Sequence, residues 1–392
     1  MIHPHRPLVI LLVLLVPGLL ALDVKGQEPT RGETPMTVYL GTYTGPKSKG
    51  IYMTKLDPAT GRLSAPEVAA ELKNPSFLAI APNQKFLYAI GEVDEFKGQK
   101  AGGISAFSID PASGKLTLIN QQSTGGPGPA FVGVDPSGKI AMVANYSGGS
   151  VQSLPIKADG SLGAPASFFQ HAGSSVDPAR QKEPHAHSIN ASPDGKFAVA
   201  ADLGLDKLMV YRLDGASGKM MPNDPPFAKT PAGGGPRHLS FAPDGKFAYF
   251  VNEMECSVTA MSYDAERGTF AEVQTITALP AEKSPKYSGA EIQVHPSGKF
   301  VYASIRGLDV IAIFAVDQAT GKLTAAGHQS SGGKTPRNFR IDPSGRFLLA
   351  ANQGTGNVVV MRIDPETGKL TPTGSSIDVG SACCIKFLTP AK

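Results

Sequence analysis

The 392-residue chain has no tryptophan and only three cysteines. Cys383 and Cys384 are adjacent and Cys256 stands apart, so no disulfide framework is expected, and all three read as small buried residues. Long apolar runs are also scarce. The one candidate, Leu8 to Leu22 behind Arg6, is 15 residues long and broken by Pro17-Gly18. A bilayer span needs roughly 20 residues, so this stretch reads instead as a signal peptide. Small residues at Val24 and Gly26 place cleavage after Gly26, and no cysteine follows to suggest a lipoprotein. The expectation is an exported protein whose residues 27–392 form one domain, with no stable membrane insertion after cleavage. The formal charge of +4 is mild and scattered, and no basic stretch interleaves with aromatics, which argues against a nucleic-acid partner.

No segment after the leader sustains a helical period. What the chain has instead is a turn that recurs about every 50 residues. Its copies are Asp57-Pro-Ala-Thr-Gly-Arg-Leu63, Asp110-Pro-Ala-Ser-Gly-Lys-Leu116, the shorter Ala158-Asp-Gly-Ser-Leu162, Asp214-Gly-Ala-Ser-Gly-Lys-Met220, Asp264-Ala-Glu-Arg-Gly-Thr-Phe270, Asp317-Gln-Ala-Thr-Gly-Lys-Leu323 and Asp364-Pro-Glu-Thr-Gly-Lys-Leu370. Asp bonds its own backbone, Pro fixes φ and Gly supplies a positive φ, so each copy is a hairpin turn. A second turn interleaves with the first, beginning at Pro82, Pro136, Pro193, Pro243, Pro296 and Pro343, at spacings of 54, 57, 50, 53 and 47. Short alternating runs such as Lys246 to Asn252 lie between the turns and have strand character.

Four strands per repeat and seven copies predict an all-β fold: a seven-bladed β-propeller of four-stranded antiparallel blades. The absence of tryptophan argues against the WD type. Only six proline turns stand against seven of the other kind, and the missing first strand is at the C-terminus. Ala382 to Leu388 should pair with Thr37 to Tyr43 and close the ring.

A shared register shows which side chains occupy equivalent places around the channel. Six residues before each turn proline stand Ser76, Ala130, His187, Arg237, Ala290 and Arg337, with Cys384 assigned to the closing blade, and His185 precedes His187 on the same strand face. A second ring, seven residues beyond the turn Lys or Arg, holds Glu92, Tyr146, Leu203, Glu253, Arg306 and Gln353, with Tyr43 from the N-terminal strand. Topology brings both rings to one mouth of the channel. The longer inserts, Gln170 to Pro184 and Thr277 to Ser288, and the hairpin Val93 to Gly102 open on that face, while the opposite face is expected to carry only short turns.

Three arginines, two histidines and a carboxylate converging there predict an anionic site, because unpaired like charges are costly to desolvate. Other motifs fail. Gly332-Gly-Lys-Thr335 lacks the first glycine of a phosphate-binding loop, and His185-Ala-His187 is too sparse for a metal site. Neither a metal nor a cofactor is expected.

At Pro184 to Asp194, Gly235 to Phe241, Tyr249 to Glu253, Tyr302 to Arg306 and Thr335 to Phe339 the chain resembles the seven-bladed propeller lactonase family, which includes bacterial 6-phosphogluconolactonases and fungal carboxymuconate-cyclising enzymes. The resemblance spans nearly all of the chain after the leader. It places His187, Arg237, Glu253 and Arg306 on proposed catalytic positions and Arg337 on a further channel arginine. The chemistry implied is water attack on a lactone carbonyl, with Arg237 and Arg306 stabilising the oxyanion. Either Glu253 or His187 would activate the water, and the other would orient it or protonate the leaving oxygen. Arg337, His185, Tyr146 and Glu92 are the expected substrate-binding residues, for a small anionic or sugar lactone. Some family members carry arginine where this chain has Glu92, which should weaken phosphate binding. Export also makes a cytosolic sugar phosphate an unsuitable substrate. The alternatives are a non-catalytic exported propeller that binds a carbohydrate or protein, and a muconate cycloisomerase-type enzyme. A closed ring is expected to be stable as a monomer.

Overall fold

The structure is a computed structural model that describes residues 1, 2, 4, 34–280 and 284–389. The expected leader, apart from residues 1, 2 and 4, lies outside the described residues. From Thr34 onward, 28 strands form seven separate sheets of four, each antiparallel throughout. The inner strands of blades 2 to 7 are Leu78–Ile80, Pro129–Val134, Ala186–Ala191, Pro236–Phe241, Ser288–Val294 and Pro336–Ile341. Blade 1 combines Ala382–Leu388 with Met36–Thr42, Gly50–Leu56 and Glu67–Glu71. Each inner strand touches the next around the ring, and blade 7 returns to blade 1. Closure follows the register expected from the two termini: Thr37 lies opposite Leu388 and Leu40 opposite Ile385.

The second strand of each blade carries much of the core. Phe197–Asp202 and Phe347–Asn352 are buried at every residue, between the inner strand and the neighbouring blades. The recurrent hairpin turn does more than reverse the chain. Gly321 has a φ of +74°, and a Cβ there would lie 2.4 Å from the Phe247 ring of the preceding blade. The same contact recurs for Gly160 with Phe86, Gly268 with Phe197, Gly368 with Phe300 and, across the closing seam, Gly61 with Phe347. Nearby tyrosines donate to the same turns: Tyr88 to the Gly160 carbonyl at 3.0 Å, Tyr302 to Gly368 at 2.8 Å and Tyr249 to Gly321 at 3.2 Å. The turn is thus also the joint between blades.

In six of the seven inner strands the pairing slips at the same end, for example between Ala186 and Ser188, Pro236 and Leu239, and Pro336 and Asn338. Such a bulge turns consecutive side chains toward the channel instead of alternating them. It also corrects one assignment. Pro336 opposes Asn352 and Ala382 opposes Thr42, so the residue equivalent to Arg337 is Cys383, and Cys384 lies one layer deeper.

Replacing Gly321 by Ala combines left-handed backbone strain with a clash against Phe247, so urea unfolding should show a loss of about 2 kcal/mol or more. A change below about 0.5 kcal/mol would contradict the double role of this glycine.

Candidate active site

The two side-chain rings do meet at one mouth, and a single carboxylate sits among the arginines. Glu253 Oε2 accepts from Arg237 Nε at 2.9 Å and lies 3.0 Å from Arg306 Nη2, while Oε1 accepts from Arg180 Nη2 at 2.9 Å. His187 Nε2 is 4.0 Å from Oε2. The bulges account for this convergence: Arg237 and His187 each stand at the slip in an inner strand, Glu253 immediately follows the second strand Phe247–Asn252, and Arg306 ends the second strand Phe300–Arg306. Arg237 is 1% exposed, which makes it the largest fully buried side chain, and its Nη1 also donates to the Ala290 carbonyl. Arg306 Nη2 donates to the Gly289 carbonyl at 2.8 Å.

Aromatic and second-layer contacts fix the rest. Tyr146 stacks on His185 at 4.7 Å between ring centres, meets His187 edge-on at 5.1 Å, and its hydroxyl accepts from Arg180 Nη2 at 3.1 Å. His185 Nδ1 lies 3.1 Å from the Tyr146 carbonyl. Arg337 and Glu92 form a neighbouring group instead of joining Glu253. Arg337 Nη2 donates to the Tyr43 hydroxyl at 3.0 Å, Tyr43 donates to Glu92 Oε2 at 2.7 Å, and the Ser76 hydroxyl bonds the same carboxylate. Under Arg237, His238 Nε2 faces Arg237 Nη1 at 3.3 Å and His238 Nδ1 faces Glu291 Oε1 at 3.1 Å.

Sequence reasoning missed Arg180, His238 and Glu291. Arg180 belongs to the insert outside the repeat, so no ring alignment reaches it. His238 and Glu291 each follow a ring position by one residue, and a strict period of two points them away; the bulge turns them in.

Burial and charge act differently on Glu253 and His187. Burial pushes the Glu253 carboxyl up, but Arg306, Arg237 and Arg180 outweigh it and bring the pKa down to about 2. A carboxylate this stabilised is a poor proton acceptor near neutral pH. For His187, burial and then repulsion from Arg237 and His238 hold the imidazole well below its usual 6.5, so it is neutral. Its Nδ1 and the Nε of Arg306 are buried without a hydrogen-bond partner. Arg237 is brought down to about 9 by burial and by Arg306 and Arg337. Three guanidinium groups share the one Glu253 carboxylate, which leaves the cluster positive. Beside it opens a cleft of about 840 Å³ lined by Arg180, Met254, Lys286, Tyr287, Glu253 and Arg306. Among the described residues, no three His, Cys, Asp or Glu side chains form a metal-binding group.

The profile of the family described as "Lactonase, 7-bladed beta-propeller" matches residues 37–387. The 6-phosphogluconolactonase of Bacillus subtilis is 40% identical over 302 residues, 77% of this chain and 83% of that protein. That of Pectobacterium carotovorum is 33% identical, over 75% of this chain and 82% of its own. Among solved structures, the periplasmic gluconolactonase of Pseudomonas aeruginosa superposes with a TM-score of 0.85 at 36% identity, over 92% of this chain and all of that one.

The lowered pKa of Glu253 stabilises the folded protein above the usual carboxyl value of 4.5, and that contribution is lost as pH falls toward about 2. Glu253→Gln should therefore reduce the unfolding free energy by about 3–5 kcal/mol at pH 7. Denaturant melts should show the gap to wild type narrowing below pH 4.5. A gap that widens on acidification would contradict this placement of the charge.

Proposed function

This chain belongs to the seven-bladed β-propeller lactonase family, and on that premise we propose that it hydrolyses a sugar lactone at the mouth that holds Glu253. The observation that carries the reading is a neutral, buried His187 beside a net-positive arginine cluster whose Arg180 and Arg306 line an open cleft. Ester hydrolysis requires those two things: a group that removes a proton from water, and fixed positive charge where the carbonyl oxygen becomes an oxyanion.

In this reading His187 takes the proton from the attacking water. Its imidazolium forms 4.0 Å from the Glu253 carboxylate, which lowers the cost of that charge. Arg306 and Arg237 stabilise the tetrahedral oxyanion. Glu253 is the anchor that holds three guanidinium groups in place, not the base. As the ring opens, the proton on His187 passes to the leaving oxygen, and the product is a hydroxy acid. His185 and Tyr146, stacked on one another, present a polar and aromatic wall to the sugar ring.

We infer further that the substrate is unphosphorylated and met outside the cytoplasm. Arg337 donates to Tyr43, which donates to Glu92, so a carboxylate stands behind this arginine and weakens the pull of the site on a phosphate. The expected leader over residues 1–26 is the sequence argument for export, and the related gluconolactonase from Pseudomonas aeruginosa is described as periplasmic. The expected domain, residues 27–392, is then the exported enzyme.

Acid release measured in a pH-stat against the spontaneous rate tests the reading. Turnover of δ-gluconolactone should exceed that of its 6-phospho form. Arg306→Ala should lower kcat about 10²–10³-fold, and His187→Asn about 10²–10⁴-fold, with both variants still folded. Wild-type rates in both variants, or no acid release from any lactone, would overturn it; capture of a ligand without turnover would indicate a binding propeller. Since the neutral form of His187 is the active one, the acid limb of kcat/KM should fall below pH 6.5. A limb above that value would exclude His187 as the base.

A further inference from the structure

The far half of the channel is not the plain turn face expected from the sequence. A layer of side chains separates it from the arginine mouth. Phe77 and Phe131 stack at 4.2 Å, His238 packs edge-on against both, and Glu291 binds His238 and the Asn338 amide. Beyond this floor the inner strands enclose a cavity of about 670 Å³, rimmed by the turn prolines Pro136, Pro193, Pro296 and Pro343. That volume suits a small organic ligand.

The charges in this cavity are unequally matched. Lys386, on the closing strand, places its ammonium 4.5 Å from the Phe77 ring centre. Arg340 joins it on the adjacent inner strand, and both line the cavity. Among the described residues no carboxylate forms an ion pair with either. The two acids that line the cavity are hydrogen-bonded elsewhere, although Glu291 attracts Lys386 at longer range. Glu291 accepts from Asn338 and from the Ile292 N–H at 2.9 Å, and Asp342 accepts from the backbone N–H groups of Ser344 at 3.0 Å and Phe347 at 2.6 Å. Asn190 Nδ2, from another lining residue, is buried without a partner.

Lys386 is half-buried and Arg340 exposed, so the two positive charges face the cavity with no ion-pair partner among the described residues, and contact with an aromatic ring offsets only part of the cost of that arrangement. We propose that this cavity binds a small oxyanion, a carboxylate or a phosphate, with Lys386 and Arg340 as its charged ligands, separately from the lactonase mouth. Lys386 supplies three donors on a flexible stem and Arg340 a planar fork, a pair suited to an oxyanion. Burial and the charge of Arg340 outweigh the opposing pull of Cys384 and Glu291 and lower the Lys386 pKa, and a bound anion would act against that shift. The proposal does not depend on the lactonase reading, since none of these residues belongs to the Glu253 cluster.

Calorimetric titration of the protein with inorganic phosphate and, separately, with gluconate tests it. One of the two should bind, and its affinity should fall about tenfold or more in Lys386→Met and in Arg340→Gln. The anion that binds more tightly identifies the chemistry of the ligand. Lactone turnover should be unchanged in both variants. Arg340 is exposed, so its variant keeps the test valid if Lys386→Met fails to fold. No binding of either anion, unchanged affinity in the variants that fold, or loss of binding in Arg306→Ala instead would overturn the proposal.

Discussion

The ion cluster around Glu253 is the constraint on which the mouth of this propeller depends. One carboxylate joins guanidinium groups from blade 5, blade 6 and the insert that precedes blade 4. Arg237 is almost completely buried, and a buried guanidinium without an anion would be severely destabilising. Yet the pairing is deliberately incomplete in charge: the excess positive potential falls beside a neutral histidine, where a reaction that develops an oxyanion can use it. The same contacts that make Glu253 strongly acidic make it a poor proton acceptor, which is why the proposed mechanism assigns the base to His187.

The scaffold explains how near-identical repeats produce an asymmetric site. Joints of phenylalanine against turn glycine tie each blade to the next, so the ring does not rely on its channel for cohesion. The innermost positions can then vary from blade to blade, holding Ala130 in one and Arg237 in another. The bulge common to most inner strands turns two successive residues inward. One layer, with Arg237 and Arg337, lies on the mouth side; the next, with His238 and Glu291, forms the floor and borders the second cavity. Charge thus reaches both ends of the channel from strands whose outer partners are ordinary sheet.

Much of this was legible in the sequence because turn chemistry is local. Asp, Pro and Gly at fixed offsets located every blade, and the unequal turn counts located the closing strand. Ring alignment also brought out His187, Arg237, Glu253 and Arg306, since repeats in register carry equivalent residues to one level. What escaped was whatever breaks the register. Arg180 lies in an insert with no equivalent in other blades. Cys383, His238 and Glu291 required knowledge of the bulge, which depends on backbone pairing between strands and leaves no residue signature of its own. Pairing of Arg337 with Glu92 through Tyr43 joins residues 294 positions apart and appears only once the ring closes.

The most direct test of the central claim is a crystal structure with a phosphonate analogue of the tetrahedral intermediate bound. The account predicts an anionic oxygen within hydrogen-bonding distance of Arg306 and Arg237, with His187 facing the oxygen that stands for the attacking water and Glu253 still among its arginines. A phosphonate seated away from these groups, or one that draws Glu253 out of the cluster, would contradict it.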